Sequence, residues 1–566
     1  MTTTSSPSLS FAECSNSSAS LRALMWAFVV VLCVWFLTLD ARHLLRSDEG
    51  RYAEIAREMF VSGDWVTIRY NGLKYFEKPP FHLWMTAIAY HAFGVGEWQA
   101  RLWAAISGLL GLLVTMLAAN RWFGARVALL SGLVLLATPA WNLGSHFNSL
   151  DISVAGALAC VLASFLIAQH PHSAPRSRRA WMCVAWGAMG VATLTKGLIG
   201  IALPGLVLVV YIVVARDWGL WRRLNIVSGM LWLAIITVPW FVLISLRNPE
   251  FPQFFFIHEH WQRYTSTVHQ RDAPVWYFVP QLLVGFLPWL GLSRGMQAAV
   301  RQDHHEGRLR PKLLLGVWAG AIFVFFSLSD SKLPGYIMPI FPALAVLTGV
   351  VLDKLGSAAW GRQVLGMLGV AIFGLLFSPL VARLGSENTP NALYRSYAIW
   401  IAAAFALAVV GLATARQVSR SGHTFRSIAT ASLTLFLATT VGLLGHETLG
   451  RSSSGVDLVA PMQSVLTPDM PVYSVRLLDH TLPFYLRRTT IMVESPDELE
   501  FGAQQEPQKW MPTLAHFLKA WSSGRPAIAV MSHDTYASLS AEHVVMFPVA
   551  EDVRRVVVAN FHRTSP

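Results

Sequence analysis

Apolar runs long enough to cross a bilayer recur along this chain, each closed by a short polar or basic break. A hydrocarbon core of about 30 Å takes roughly 20 mostly apolar residues as a helix. Such runs fall at 21–39, 99–120, 126–143, 151–168, 180–195, 198–215, 226–246, 275–293, 313–329, 335–352, 364–382, 397–414 and 427–446. They predict a polytopic helical membrane protein of about thirteen spans. The run 82–95 is too short to cross and is expected to dip into the interface or lead into the next span. Between the first two spans, residues 50–60 are apolar at 52, 55, 56, 59 and 60, the spacing of a helix with one apolar face resting on the membrane. Beyond 446 the pattern changes. Short β-like runs ("PVYSVRL", "RTTIMVE", "PAIAVMS", "RRVVVANFH") alternate with helical stretches such as 508–522, which predicts a small α/β domain over 447–566.

Composition supports the membrane class: 54% of residues are hydrophobic and 13% charged, against about 25% charged in soluble domains. The net charge of +12 does not point to nucleic acid, because the basic residues sit in short clusters between apolar runs, where they act as topology signals. Cys14, Cys33, Cys160 and Cys183 form no C-x-x-C pair, which argues against a disulfide framework or a cysteine metal site. Residues 1–20 read as a disordered Ser/Thr-rich tail, and the run after them, lacking a cleavage site, as a retained first span.

Arg and Lys orient the spans. Arg121 and Arg126, Arg176 to Arg179, Arg222 and Arg223, Arg301 to Lys312, and Arg416 to Arg426 all fall in one set of alternate loops, the cytoplasmic set by the positive-inside rule. The long first loop, 40–98, then lies outside together with residues 447–566. That loop still carries Arg42, Arg46, Arg51, Arg57, Arg69, Lys74 and Lys78, which topology does not require; an anionic ligand would account for them.

The same face receives Asp48, Glu49, Asp151, the segment 254–276 and "SLSDSKLPGY" at 327–336. Polar groups from distant parts of the chain thus converge. Asp48 and Glu49 open the 50–60 helix, where Ser47 or Asp48 could be its N-cap and Glu49 a first-turn acid, or a carboxylate could serve an acceptor or a sugar. Asp151 begins a span and could be a cap or, flanking one centre with Asp48, a catalytic acid. In "YFEKPP", Pro79 and Pro80 hold Glu77 and Lys78 extended where the chain re-enters the membrane. Lys78 could snorkel to the interface or hold a lipid-carrier phosphate, with Arg51, Arg263 and Lys332 beside it. Lys332 and Tyr336 lie in a proline- and glycine-broken stretch, tolerated at that depth where it lines a cavity. His258, Glu259 and His260 do not point together in a helix, but His258 with Glu77 could bind zinc or manganese.

The stretch "SDEGRYAEIAREMFVSGDWVTIRYNGLKYFEKPPFHLW", followed by "SKLPGYIMP", resembles the membrane-embedded GT-C glycosyltransferases of the protein O-mannosyltransferase-related superfamily. Within it, the bacterial lipid A aminoarabinose transferases are most similar. The motifs keep their order over about the first 350 residues. The resemblance implies a multi-pass GT-C domain over 21–446 with a periplasmic α/β domain over 447–566. It further implies a 4-amino-4-deoxy-L-arabinose donor on undecaprenyl phosphate, a lipid A phosphate acceptor, action at the periplasmic face of the inner membrane, and resistance to polymyxin-like peptides. Asp48 and Asp151 correspond to the family's outer-face acids, and Lys78 to the lysine at the carrier phosphate, with Arg51 and Tyr52 on the adjoining helix. The K-P-P and D-S-K forms differ from commoner variants. Two other functions remain open: another polyprenyl-phosphate-sugar transferase acting on protein or cell-wall polymer, and a lipid flippase or transporter.

Overall fold

The computed structural model describes residues 25–262, 273–303, 309–386 and 388–562. The expected N-terminal tail and Arg263 lie outside them. The helices in chain order are α1 (Met25–Asp40), α2 (Asp48–Ser62), α3 (Phe81–Phe93), α4 (Glu97–Phe123), α5 (Ala125–Leu136), α6 (Pro139–Gly144), α7 (Leu150–Gln169), α8 (Pro175–Lys196), α9 (Ile199–Ala215) and α10 (Ile226–Arg247). A π-helical segment, α11 (Gln253–Gln262), precedes α12 (Val275–Gly285), α13 (Leu287–Arg301), α14 (Pro311–Leu328), α15 (Pro334–Lys354), α16 (Ser357–Arg383), α17 (Asn391–Arg420) and α18 (Thr424–Ser454).

Among the described residues eight helices are long and apolar enough to cross a membrane, and nine if α12 and α13 form one span. The expected span 275–293 is not straight. Helices α12 and α13 meet at 91°, because Pro288 begins the second and cannot donate the hydrogen bond that would continue the first. Helices α1, α5 and α9 are shorter apolar helices.

Helix α7 is the centre of the bundle, with 83% of its apolar window buried, whereas α10, at 17%, faces outward. It meets α4 through small residues. A Cβ on Gly156 would stand 2.5 Å from the Ser107 carbonyl oxygen, so the two backbones approach closely only because Gly156 has none. The Ser149 hydroxyl caps α7 by accepting the Asp151 amide at 3.2 Å, which frees Asp151 from the capping role considered for it.

The first loop folds over one end of this bundle. Its hairpin, β1 (Arg69–Tyr70) with β2 (Leu73–Lys74), pairs antiparallel beside α2 and α3. The expected α2, with one apolar face on the membrane, is instead enclosed nearly all round, polar Arg51, Glu54 and Arg57 included. The cause is the C-terminal part, which packs on top: a Cβ on Gly50 would lie 2.4 Å from the His480 carbonyl oxygen.

That C-terminal part is a five-stranded sheet, β3 (Val472–Val475), β4 (Ile491–Val493), β5 (Ile528–Met531), β6 (Phe547–Glu551) and β7 (Val556–Ala559), in the order β4-β3-β5-β7-β6. The pairs β3/β4 and β3/β5 are parallel, and β5/β7 and β6/β7 antiparallel. Strands β3, β5 and β7 are buried on both faces, which is why they read as apolar runs. Strand β6 escaped the pattern because it is a half-exposed edge containing Pro548. Asn71 ties the hairpin to this sheet: its amide donates to the Thr490 carbonyl at 2.9 Å and its oxygen accepts the Thr490 amide at 2.7 Å. Arg69 pairs with Glu506 at 2.9 Å.

Candidate active site

A small polar cleft lies where the loop, the bundle and the C-terminal sheet meet. Its wall is Asp48, Arg51 and Tyr52 from the start of α2, Glu77 and Lys78 from the turn before α3, Ser149 to Asp151 from the start of α7, Lys196 from the end of α8, and Leu333 and Tyr336 from the start of α15. Segments almost 300 residues apart in sequence therefore share one cleft, as the outer-face convergence anticipates.

The pair at its floor joins Asp151 to Lys196, side chain to side chain. The Lys196 ammonium also stands 4.3 Å over the Tyr336 ring, a cation–π contact. Lys196 escaped notice in the sequence because a lysine closing an apolar run looks like a topology signal; the glycine after it, where α8 stops, was the available cue. Gly335 is its counterpart on α15. A Cβ there would stand 2.1 Å from an Asp151 carboxylate oxygen, so Gly335→Ala is expected to push the carboxylate aside and cut turnover about a hundredfold while protein abundance in membranes stays normal.

On the opposite wall Arg51 is buried and engaged on several sides. Its Nε lies 3.0 Å from Glu498 of the C-terminal sheet region, its Nη2 3.7 Å from Asp48, and its Nη1 donates to the Tyr75 hydroxyl at 3.3 Å. The Tyr75 hydroxyl donates in turn to Glu77 at 3.2 Å. Burial outweighs the Arg51 charge at Glu498 and pushes its carboxyl up to about 7. Burial likewise raises the Tyr52 phenol, with the Asp48 charge adding to it, so Tyr52 stays protonated. Lys78 does not snorkel: its ammonium donates to the Glu77 carbonyl at 3.0 Å and stands 3.6 Å from the Glu77 carboxylate, inside the cleft. Asp48 is the most open of the acids, its side chain 43% exposed.

Three expected site residues go elsewhere. Glu49 turns away from the cleft and forms a two-pronged pair with Arg101, at 2.7 and 3.1 Å, completed by the Leu45 and Asn148 amides. It is buried, with both carboxylate oxygens engaged in these bonds. Lys332 donates to the Ala273 carbonyl at 2.8 Å and to the Ser329 carbonyl, pinning the turn before α15, and is not among the residues lining the cleft. His258 stacks on Phe254, ring centroids 5.0 Å apart. Among the described residues no group of three or more His, Cys, Asp or Glu could hold a metal ion. Glu77 lines the cleft, and His258 is not among its lining residues.

The fold is that of the GT-C class of membrane glycosyltransferases. The archaeal oligosaccharyltransferase AglB from Archaeoglobus fulgidus superposes on 90% of this chain and 70% of its own, with a TM-score of 0.50 at 13% identity. Within that class the chain belongs to the aminoarabinose transferase family. The family model for dolichyl-phosphate-mannose-protein mannosyltransferase matches residues 20–255, and that for the aminoarabinose transferase C-terminal domain matches residues 458–560. The undecaprenyl phosphate-alpha-4-amino-4-deoxy-L-arabinose arabinosyl transferase of Aeromonas salmonicida is 35% identical over 377 residues, 64% of this chain and 68% of its own. The crystal structure of ArnT from Cupriavidus metallidurans bound to undecaprenyl phosphate is 56% identical, covers 95% of this chain and 98% of its own, and superposes with a TM-score of 0.93.

Proposed function

We propose that this protein transfers 4-amino-4-deoxy-L-arabinose from undecaprenyl phosphate to a lipid A phosphate at the periplasmic face of the bacterial inner membrane. The supporting observation is the meeting of Lys78, Lys196, Asp48 and Asp151 in one cleft. The overall match to a transferase crystallised with undecaprenyl phosphate adds to it.

The chemistry follows from the leaving group. An oxygen of the acceptor phosphate attacks the anomeric carbon, the bond from that carbon to the carrier phosphate breaks, and its electron pair stays on the carrier. A single displacement inverts the anomeric centre. The departing phosphate needs countercharge more than a proton, and Lys78 and Lys196 supply it. The attacking oxygen is already anionic and needs no strong base. Asp48, the most open acid, faces the donor sugar's ammonium group, and Asp151 holds the Lys196 ammonium in register.

The test is transfer by purified protein from undecaprenyl-phosphate-linked aminoarabinose to lipid A, read by mass spectrometry of the lipid. Lys78→Ala is expected to lower kcat/KM about a hundredfold. Undiminished transfer removes Lys78 from the carrier site. Sugar appearing on a protein or cell-wall polymer but never on lipid A overturns the acceptor.

A further inference from the structure

Two arginines outside the cleft, Arg46 just before α2 and Arg554 in the turn between β6 and β7, come together where the first loop meets the C-terminal sheet. Both stretches are seated on the end of α18. Leu45 packs on Gly450, where a Cβ would lie 2.7 Å from its side chain. Arg555 donates to the Ser453 carbonyl at 2.8 Å and to Asp552 at 2.7 Å, and it pairs with Asp479. The Asp552 carboxylate also accepts the Arg554 and Arg555 amides at 2.8 and 2.7 Å, which closes the turn and fixes the point from which Arg554 extends.

Neither guanidinium has a countercharge of its own. Among the described residues Arg46 and Arg554 form no ion pair and no side-chain hydrogen bond. Arg46 is exposed, and Arg554 is half-buried with its Nε enclosed and unbonded. The carboxylates that act on Arg554 through space, Asp552 and Asp479, are both engaged by Arg555. Burial first, then the Arg46 charge and that of Arg555, lower the Arg554 guanidinium from its ordinary value. Like charges held near each other by a rigid frame are costly, and one anion between them removes the repulsion and satisfies the enclosed donor.

The pair stands beside the cleft without belonging to it. Arg46 precedes the cleft acid Asp48 by two residues, and thus by at most about 7 Å of backbone. Ser47 between them takes a φ of 73°, a left-handed conformation that a serine rarely adopts, and its side chain does not cap α2. The chain turns sharply there, so that Asp48 enters the cleft while Arg46 stays outside it, near His480. An acceptor phosphate reacting in the cleft therefore leaves the rest of its headgroup within reach of Arg46 and Arg554.

We propose that Arg46 and Arg554 together hold a second phosphate of the acceptor headgroup while the first reacts in the cleft, so that the C-terminal sheet supplies part of the grip on the acceptor. The proposal rests on the lipid A reading above and adds what selects the acceptor. A headgroup with two phosphates is held at both places, and one with a single phosphate by the cleft alone. Guanidinium groups suit the task, since each offers paired N–H donors to phosphate oxygens.

Arg46→Gln, Arg554→Gln and the double variant of the full-length protein test it. Binding of lipid A with two phosphates, and of its monophosphorylated forms, to detergent-purified protein without donor is read by native mass spectrometry, and the KM for donor and acceptor by transfer assay. For lipid A with two phosphates the double variant is expected to weaken binding and raise the acceptor KM about tenfold, with kcat and the donor KM within about twofold. For the monophosphorylated forms, variant and wild type are expected to bind alike. Acidic core sugars added to the acceptor are expected to leave these ratios unchanged; an effect of the variants seen only with those sugars makes the anion a carboxylate and overturns the assignment. Unaltered binding and KM, or an equal loss for lipid A with one phosphate and with two, also overturns it, the latter marking general attraction to anionic surfaces. If the wild type transfers sugar to no form of lipid A, the function proposed above falls and this proposal with it, whereas wild-type transfer with unaltered variants removes this proposal alone.

Discussion

Asp151→Asn and Lys196→Met are each expected to lower transfer about a hundred- to a thousandfold, the largest activity losses in the molecule. Each removes half of the pair on the cleft floor. Without Lys196 the departing phosphate loses a countercharge, and the Asp151 carboxylate is left unpaired beside it, repelling the anion. Without Asp151 the Lys196 ammonium is no longer held in place. It remains over Tyr336, so the second loss is one of positioning and appears mainly in kcat. Because the two groups act as a unit, the double variant is expected to be little worse than the worse single one. The measurement is a double-mutant cycle on purified protein, with the elution profile and thermal unfolding recorded beside activity. Activity within threefold of wild type for Asp151→Asn, or full additivity in the cycle, sinks the assignment.

Glu49→Ala is expected to have the largest effect on stability, about 3–5 kcal/mol. It strands Arg101, which is fully buried and otherwise donates to the Leu39, Arg42 and His43 carbonyls. These bonds hold the chain between α1 and α2, so loosening them frees the start of α2 and the cleft acid Asp48 with it. Removing both charges in Glu49→Gln with Arg101→Met is expected to restore part of the loss, since the desolvation of two ions goes with them. Burial acts to raise the Glu49 carboxyl, but the Arg101 charge and hydrogen bonds outweigh it and hold it down to about 2. A lowered carboxylate stabilises fully above its unfolded value, near 4.5, and loses that contribution progressively as pH falls from there to about 2. Thermal unfolding of the wild type between about pH 6 and 8 is therefore expected to show no transition from this pair, with the loss setting in below about pH 5. A melting temperature for Glu49→Ala within about a degree of wild type would refute the structural role.

Much of the scaffold was legible because hydropathy is a local property. A run of apolar residues prefers lipid whatever lies elsewhere in the chain, and the α2 pattern and the prolines after Lys78 act over a few residues. The cleft acids Asp48 and Asp151, Lys78 and Tyr336 were found the same way, as polar groups at the ends of apolar elements on one face. Where a side chain points within the site has a different cause. Glu49 and Asp48 are neighbours in sequence and equally acidic, yet one faces Arg101 and the other the cleft, a choice made by the helical turn of α2 and by a partner more than fifty residues on. Lys332 gives its ammonium to the Ala273 and Ser329 carbonyls, partners that its own stretch of sequence does not reveal.

By itself the sequence determined a polytopic helical membrane protein with charged loops gathered on one face, a mixed α/β segment after residue 446, and the loop motifs of a GT-C glycosyltransferase. Only the tertiary structure decided that Lys196 closes on Asp151, that Gly335 leaves room for that carboxylate, and that Glu498 reaches Arg51 from the far end of the chain. The reason is physical. Partition between water and lipid is summed residue by residue along a segment, whereas the fate of a charge depends on which opposite charge the fold brings within a few ångströms.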